Sequence, residues 1–331
     1  MESILKDLIL FGDCRDTLTQ FDEKARMCVT SPPYYGLRDY GGEDKQIGLE
    51  QTPEEFIQQL VEVFRLVRDN LTDDGTLWVN IGDSYYNYRP GKGEALPKQT
   101  FSKTTQDLPQ GSNPRRGNKL DGLKEKDLIG IPWMLAFALR ADGWYLRQDI
   151  IWHKPNPMPE SVRDRCTKSH EYLFLLSKNK HYYYDNDSIK EQAQDWGTRD
   201  RTDGKYHNEG TGLQPHSGLT KLYRTKNKRS VWSITNKPYK GSHFATFPRD
   251  LVEPCILAGS QVNDIILDPF MGSGTTAMVA KSLGRYYIGC ELHEDYGNLI
   301  QERLSMPVKK VERISSHSVT NGLIQAFDGV E

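Results

Sequence analysis

The sequence predicts an α/β fold with a doubly wound, mostly parallel sheet. Short apolar segments typical of buried strands alternate along the chain with longer segments that show helical periodicity. Several strand segments end at Gly-Asp or Asp-Pro, pairs that favour a turn. Strands that alternate with helices form sheets covered on both faces, so ligands are expected at the carboxyl ends of the strands.

Each element has a local signal. Strands are predicted over residues 8–11, 25–30, 76–81, 148–152, 172–176, 265–267 and 286–290. The first long helix follows Thr52, with Pro53 at its first position and Glu55 completing a capping box. Its apolar residues recur at helical spacing, namely Phe56, Leu60, Val63, Phe64 and Val67. Further helices are predicted over 129–140, 247–257 and 277–283.

The composition indicates a globular protein with a large core. A chain of 331 residues with 37% hydrophobic content can form one large domain or a domain with a substantial insertion. Its five cysteines are odd in number and widely spaced, which favours free thiols in a reducing compartment. We expect no signal peptide, no membrane span and no metal, since Cys166 and His170 lack further ligands nearby. The expected location is cytoplasmic.

Positive charge is concentrated in two polar stretches, although the formal net charge is −2. Residues 89–126 contain nine Lys or Arg against four Asp or Glu, and residues 195–240 contain ten against four. Both stretches are rich in Gly, Ser, Asn and Pro, which predicts long loops or small irregular modules. In the second stretch, aromatic residues are interleaved with cations that suit contacts to nucleic acid, among them Lys221, Arg224, Lys228 and Arg229.

The strand at 25–30 runs into Ser31-Pro32-Pro33-Tyr34, which can neither extend a strand nor begin an ordinary helix. Proline lacks an N–H and forces the residue before it out of the α region, so this segment is predicted to be a stiff, extended loop. Such a loop would hold the Ser31 hydroxyl and the Tyr34 ring in fixed positions.

A second motif follows the strand at 265–267 and reads Asp-Pro-Phe-Met-Gly-Ser-Gly-Thr-Thr over residues 268–276. Glycines at a strand-to-helix turn let the backbone approach a ligand closely. The turn is not a P-loop, because no lysine comes until Lys281, and it lacks the third glycine of a dinucleotide fingerprint. Glu291 lies about 20 residues past the glycines at the end of the next strand, where an acidic residue can accept hydrogen bonds from ribose hydroxyls.

The two motifs together resemble the S-adenosylmethionine-dependent DNA amino-methyltransferases, which methylate the exocyclic amine of cytosine or adenine. Ser-Pro-Pro-Tyr precedes the glycine turn, as in the permuted β group of that family. The resemblance implies a Rossmann-like class I methyltransferase fold with circularly permuted motif order and an inserted DNA-recognition region. It also implies S-adenosyl-L-methionine as the cofactor and double-stranded DNA as the partner.

The resemblance assigns a set of residues to the cofactor. The glycine turn would wrap it, Glu291 would bind its ribose, the 243–248 segment would contact its methionine part, and Gly12-Asp13 would face its adenine. The implied cofactor-binding residues are Asp13, Thr246, Phe247, Pro248, Asp268, Pro269, Phe270, Gly272, Ser273, Gly274, Thr275 and Glu291.

The catalytic residues implied are Ser31, Pro32, Pro33 and Tyr34. The Ser31 hydroxyl and the Pro32 carbonyl would accept hydrogen bonds from the target amine, and Tyr34 would stack on a base flipped out of the duplex. Methylation on carbon is disfavoured, because no Pro-Cys dipeptide is arranged as the nucleophile that carbon-5 cytosine methylation requires. Serine at the first motif position favours cytosine N4 over adenine N6, on resemblance alone.

The segment 150–165 resembles the family's loop beside the target base, and its cations Lys154, Arg163 and Arg165 are expected at DNA phosphates. The expected division is a catalytic half at 1–184 with a basic insertion at about 85–127, a target-recognition region at 185–240, a cofactor-binding half at 241–306 and a tail at 307–331. A restriction endonuclease is an expected partner, and the state is either monomer or homodimer. An RNA or protein methyltransferase of the same fold and an inactive DNA-binding module are the alternatives.

Overall fold

The computed structural model describes residues 6–36, 45–86, 120, 122–193, 225–236 and 248–305. The strands are β1 Leu8–Phe11, β2 Ala25–Thr30, β3 Leu71–Ile81, β4 Tyr145–His153, β5 His170–Ser177, β6 Glu191–Gln192, β7 Thr225–Lys226, β8 Val231–Ser233, β9 Ile265–Asp268 and β10 Tyr286–Glu291. The helices are α1 Cys14–Thr17, α2 Pro53–Asn70, α3 Ile131–Ala141, α4 Arg249–Gly259, α5 Thr275–Ser282 and α6 Tyr296–Ser305, with a 3-10 turn at Asp187–Ile189.

One eight-stranded sheet, in the order β1-β10-β9-β2-β3-β5-β4-β8, forms the centre of the described structure. Five strands from β1 to β3 run parallel to one another. Strand β5 is antiparallel to both β3 and β4, and β8 is parallel to β4 at the edge. Strands β6 and β7 form a separate two-stranded ribbon.

Helices cover both faces of the sheet, which confirms the predicted doubly wound fold. Alternate residues of β2 show the division: Cys28 lies in the core under α1, α2 and α3, whereas Met27 and Val29 lie in the core under α4, α5 and α6. The helix α2 begins as predicted, with Thr52 and Glu55 exchanging capping hydrogen bonds. Nearly every apolar position of its predicted stripe is fully buried.

The predicted strands and helices are present, with shifts at their ends. Strand β3 begins at Leu71 and not at Thr76, and the register between β2 and β3 shifts where Ala25 pairs with Leu71 and Met27 pairs with Thr76. This irregular part contains Asp73-Asp74-Gly75, which are not typical of a strand, so the sequence did not predict that the strand begins before Thr76. Within the described ranges, no helix is long and apolar enough to cross a membrane and no cluster of potential metal ligands occurs.

Candidate active site

The parallel strands bring both sequence motifs to one edge of the sheet. Strands β10, β9 and β2 are neighbours, so Glu291, Asp268 and Ser31 lie at adjacent carboxyl ends. Strand β5 runs the other way, which places its first residues, His170 and Glu171, at this same edge. The site therefore combines segments far apart in the chain.

Asp268 connects the two motifs directly. Its carboxylate is fully buried and accepts hydrogen bonds from the hydroxyls of Thr30 and Thr276, both at 2.6 Å, and from the Phe270 backbone N–H at 3.0 Å. Burial raises the pKa of this carboxyl to about 6, against the lowering effect of those hydrogen bonds. Asp268, expected at the cofactor, thus holds the glycine turn against the end of β2.

The glycine turn depends on left-handed backbone conformations. Gly272 has a φ of 53° and Gly274 a φ of 80°, and Gly274 forms the amino end of α5. A Cβ built on Gly272 would meet nothing closer than the Phe270 carbonyl at 3.9 Å, so the backbone there can be approached closely. This open approach is what a bulky cofactor requires, and the turn fits S-adenosylmethionine in that respect.

Other predicted cofactor residues organise the turn from within. The buried Arg303 of α6 donates to the hydroxyl oxygens of Ser273 and Thr275, the latter at 2.9 Å. Pro248 is buried at the amino end of α4, and Phe270 packs partly buried against the core. Pro269 lies between Asp268 and Phe270 in the turn, whereas Thr246 and Phe247 lie outside the described residues.

Glu291 is a buried carboxylate at the carboxyl end of β10. Its two oxygens accept hydrogen bonds from the backbone N–H groups of Gly272, at 2.8 Å, and His293, at 3.0 Å. Burial raises the pKa of Glu291 to about 7. A buried acid with further lone pairs, beside the glycine turn, is a suitable acceptor for ribose hydroxyls.

The neighbouring strand end supplies Gly12 and Asp13. The Gly12 N–H donates to the Glu291 backbone carbonyl at 2.8 Å, so this turn is joined to the end of β10. The Asp13 carboxylate caps α1 through the Arg15 N–H and pairs with the Arg15 guanidinium at 2.5 Å. These contacts to Arg15 lower the pKa of Asp13 despite its burial.

The loop at residues 31–35 is fixed by the packing of its two tyrosines. Tyr35 is buried in the core against Phe56, with ring centroids 5.5 Å apart, so its role is structural. The Tyr34 ring lies against Gly82, since a Cβ built there would come within 2.6 Å of Tyr34 Cε2. Glycine at the end of β3 is therefore required for the position of Tyr34.

Asn80, which the sequence patterns did not indicate as functional, is the polar centre of this pocket. Its Nδ2 donates to the Tyr172 carbonyl at 3.1 Å and to Glu171 Oε2 at 3.3 Å. Its Oδ1 is therefore the acceptor for the Ser31 hydroxyl, at 3.4 Å, and it also lies 3.3 Å from the Tyr34 hydroxyl oxygen, whose one proton is donated to Glu171 at 2.7 Å. Because the Ser31 proton is directed to Asn80, its oxygen lone pairs remain to accept a hydrogen bond from an amine.

Glu171 links Tyr34 to the loop after β4. Its Oε2 accepts from the Tyr34 hydroxyl at 2.7 Å, while its Oε1 pairs with the Lys154 ammonium. Both charged side chains are largely buried, at 15% and 16% exposure. Lys154, expected at a phosphate, thus also fixes the carboxylate that holds Tyr34. Its ammonium lies 4.2 Å from the Trp152 ring centre.

The remaining DNA candidates differ in their surroundings. Arg165 pairs with Glu160 and lies 3.9 Å over the Tyr85 ring, whereas Arg163 is exposed. Lys228 and Arg229 both approach Glu191, which joins the described end of the second basic stretch to the β6–β7 ribbon. Lys221 and Arg224 lie outside the described residues.

Comparison with known proteins places these features in a family. The N6_N4_Mtase model, described as DNA methylase, matches residues 25–302. The type II methyltransferase M.SmaI of Serratia marcescens is 47% identical over 310 residues, covering 92% of this chain and 93% of that protein. M.Cfr9I of Citrobacter freundii is 43% identical over 311 residues, covering 92% of this chain and 90% of the relative.

Solved structures share the fold. The PvuII DNA methyltransferase, described as cytosine-N4-specific, superposes with a TM-score of 0.58 at 18% identity, covering 95% of this chain and 89% of its own. The putative DNA modification methylase TTHA0409 from Thermus thermophilus, solved with S-adenosyl-L-methionine, gives 0.54 at 23% identity, covering 90% and 93%. The chain thus belongs to the N6_N4_Mtase family of DNA methylases, S-adenosylmethionine-dependent enzymes that methylate an exocyclic amine of a DNA base.

Proposed function

We propose that this protein is a type II, site-specific DNA methyltransferase that methylates the N4 amine of a flipped cytosine. The observation that carries the proposal is the Ser31 hydroxyl, which donates its proton towards Asn80 and so presents an acceptor at the carboxyl edge of the sheet. M.SmaI and M.Cfr9I are both named type II methyltransferases. Serine at the first motif position favours cytosine N4, and so does the likeness to the PvuII enzyme, which is described as cytosine-N4-specific.

The chemical requirement is a nucleophilic amine held in line with an electrophilic methyl group, which S-adenosylmethionine supplies on its sulfonium. The lone pair of an exocyclic amine is delocalised into the base ring. Hydrogen bonds from that amine to Ser31 Oγ and to the Pro32 carbonyl favour a tetrahedral nitrogen whose lone pair is available. Pro33 restrains Pro32 to extended backbone, so the acceptor pair is set before the substrate arrives.

Tyr34 provides the aromatic face for the flipped base. Its ring is set by Gly82 at one side and by the Glu171 and Asn80 contacts to its hydroxyl. Because the ring is already restrained at both places, it loses little conformational entropy when a base stacks on it. This supports a pocket for one extruded base, which is the usual substrate state for chemistry on a base amine.

We propose that three segments form the cofactor side of the pocket, namely Gly12-Asp13, Glu291 and the 268–275 turn. Glu291 would accept from the ribose, and the Gly272 backbone would border the cofactor. Asp268, Ser273 and Thr275 would act by shaping the turn, because their side-chain oxygens are already engaged with Thr30, Thr276 and Arg303.

DNA recognition is proposed for the region 185–240, between the two halves at 1–184 and 241–306. The structure supports an attachment to the catalytic half, because β8 pairs with β4 and Trp232 lies opposite Trp152. Val231–Ser233 extends the main sheet, in a stretch whose sequence predicted loops or irregular modules. We propose that the Lys228 and Arg229 segment presents positive charge to the DNA from this sheet edge.

The product of the reaction tests the proposal. The purified protein is incubated with S-adenosylmethionine labelled in its methyl group and unmethylated bacterial DNA, and the DNA is digested to nucleosides for mass analysis. We expect labelled N4-methylcytosine, in one sequence context once the modified positions are mapped. Labelled N6-methyladenine would refute only the assignment to cytosine, whereas DNA that carries no label would refute the proposed function.

A restriction endonuclease of the same specificity is the proposed partner in the cell. DNA methylated by the wild-type protein, with Ser31→Ala as the inactive control, is challenged with endonucleases that cut the mapped sequence. Resistance only of the wild-type sample supports a protective role. Full cleavage of fully methylated DNA by every such endonuclease would contradict it.

A further inference from the structure

Met158 is unusually exposed for a large apolar side chain. It is 81% exposed, whereas Val231 and Val262, the next most exposed large apolar residues in the described ranges, are 57% and 56% exposed. Exposing such a side chain to water forgoes the free energy of its burial. A contact that buries Met158 in a complex would recover that energy.

The backbone that carries Met158 is held in place. Prolines at 157 and 159 flank it, and each restricts the backbone around it. On one side, Asn156 and Asn236 exchange two hydrogen bonds of 3.0 Å through side chain and backbone. On the other side, Glu160 accepts from the Arg165 guanidinium at 2.6 Å. An apolar side chain is thus presented to solvent from a rigid support.

This support begins and ends at the active site. It starts at Lys154, which pairs with Glu171, the carboxylate that holds the Tyr34 hydroxyl. It ends at Lys168, whose ammonium donates to the Asp83 carbonyl at 3.0 Å, just past β3. Lys154, Arg163, Arg165 and Lys168 all belong to this loop, together with Glu160 and Asp164. Arg163 is exposed, so the loop that carries Met158 also offers a cation suited to a phosphate.

We propose that Met158 inserts into the base stack of the bound DNA and occupies the space from which the target base is extruded. Apolar side chains, methionine among them, act as wedges between base steps in other DNA-binding proteins, and they offset the cost of unstacking. The flexible thioether can adapt to the gap between neighbouring base pairs. The inference rests on the proposed extrusion of the target base and holds for a cytosine or an adenine target.

The test compares duplexes whose target base is paired or mispaired. Single-turnover methylation is measured for wild type, Met158→Ala, Met158→Leu and Val262→Ala on a duplex of the mapped site and on the same duplex with a mismatch opposite the target. A mispaired base costs less to extrude. We expect Met158→Ala to be about tenfold slower on the paired duplex and close to wild type on the mispaired one, because only the paired base must be unstacked at full cost.

The controls separate the wedge from other roles. Met158→Leu keeps an apolar side chain and should keep most of the rate, and Val262→Ala, in the turn before β9, should match wild type on both duplexes. Cofactor affinity should be unchanged in all variants. A wild-type rate for Met158→Ala on the paired duplex, or an equal loss on both duplexes, would overturn the wedge. Failure of the wild-type protein to methylate either duplex would instead overturn the proposed function.

Discussion

At the scale of single residues, Ser31 and Gly272 separate two tasks of the site. Ser31→Ala removes one acceptor for the amine, and the loss of one such transition-state hydrogen bond lowers kcat by about a hundredfold. Gly272→Val forces a branched residue into a left-handed conformation, at a cost of about 1–2 kcal/mol, and obstructs the approach to the turn. We expect Ser31→Ala to lose turnover while its cofactor affinity stays normal, and Gly272→Val to lose cofactor affinity. Calorimetry measures the cofactor affinity of both variants, and rapid-quench kinetics measures their turnover. Tight cofactor binding by Gly272→Val would contradict the site.

Asn80 is expected to act through Ser31. Asn80→Ala leaves the Ser31 proton without its directed acceptor, and a hydrogen bond worth ~1 kcal/mol corresponds to roughly a fivefold lower kcat. The test is a double-mutant cycle on kcat with Ser31→Ala. If Asn80 sets the direction of the Ser31 hydroxyl, the double variant should be no slower than Ser31→Ala alone. Fully additive losses would show that Asn80 acts elsewhere.

We expect Glu291, as the proposed ribose acceptor, to make cofactor binding dependent on pH near neutrality. Burial raises its pKa to about 7, so protonation on acidification converts an acceptor of ribose hydrogen bonds into a neutral acid. Cofactor affinity should therefore weaken as pH falls through this range and be fully retained above it. Titrations between about pH 6 and about pH 8 should show this trend in the wild type. Glu291→Gln should bind more weakly and show a flat profile above about pH 7, where Asp268, with its pKa of about 6, stays ionised. An unchanged slope there in that variant would assign the titration to another group.

At the scale of elements, Asp268 joins β2, β9 and α5 through one buried carboxylate. Asp268→Ala leaves two hydroxyls and the Phe270 N–H without their acceptor, which should cost about 3 kcal/mol or more of unfolding free energy. Because the turn and the catalytic loop share this contact, cofactor affinity and kcat should fall together. Urea unfolding and cofactor titration measure both effects. The exposed Asp22→Ala serves as the control, with a change within about 0.5 kcal/mol.

The sequence predicted the elements whose signals are local. Apolar runs predicted the strands, and turn chemistry predicted the positions of Ser31, Gly272 and Glu291. Asn80 was not predicted, because its contact with Glu171 depends on the antiparallel register that places Ile81 opposite Tyr172. A polar residue between Val79 and Ile81 in a buried strand was the one available signal for Asn80.

Several short or polar elements were not predicted, and α6 and β8 show why. The helix α6 is largely polar and begins beside Gly297, and within it only Ile300, Arg303 and Leu304 are buried. Strand β8 has only three residues and lies in a basic stretch. Its Trp232 is buried opposite Trp152 of β4, and this contact helps hold the strand at the edge of the sheet. Neither pattern is long enough to be recognised without the tertiary partner.

At the scale of the whole molecule, the position of a cation on the sheet decides its contribution to DNA binding. Arg163 is exposed in the loop at the carboxyl edge, whereas Lys281 is exposed near the end of α5, beside the amino end of β10. If the duplex binds along the carboxyl edge as proposed, we expect a cation there to neutralise a phosphate and a cation at the opposite edge not to. Arg163 and Lys281 are therefore a test residue and its control, because both are exposed cations and they lie at opposite edges of the sheet.

The salt dependence of affinity distinguishes them. Each phosphate contact adds about one to the slope of log affinity against log salt, since a bound counterion is released. We expect Arg163→Ala to reduce that slope by about one for specific and nonspecific duplexes alike, and Lys281→Ala to leave it unchanged. Fluorescence anisotropy with labelled duplexes over a salt series measures both. Equal slopes for the two variants would mean that the DNA does not lie along the carboxyl edge at Arg163, whereas a loss confined to the specific duplex would assign Arg163 to a base.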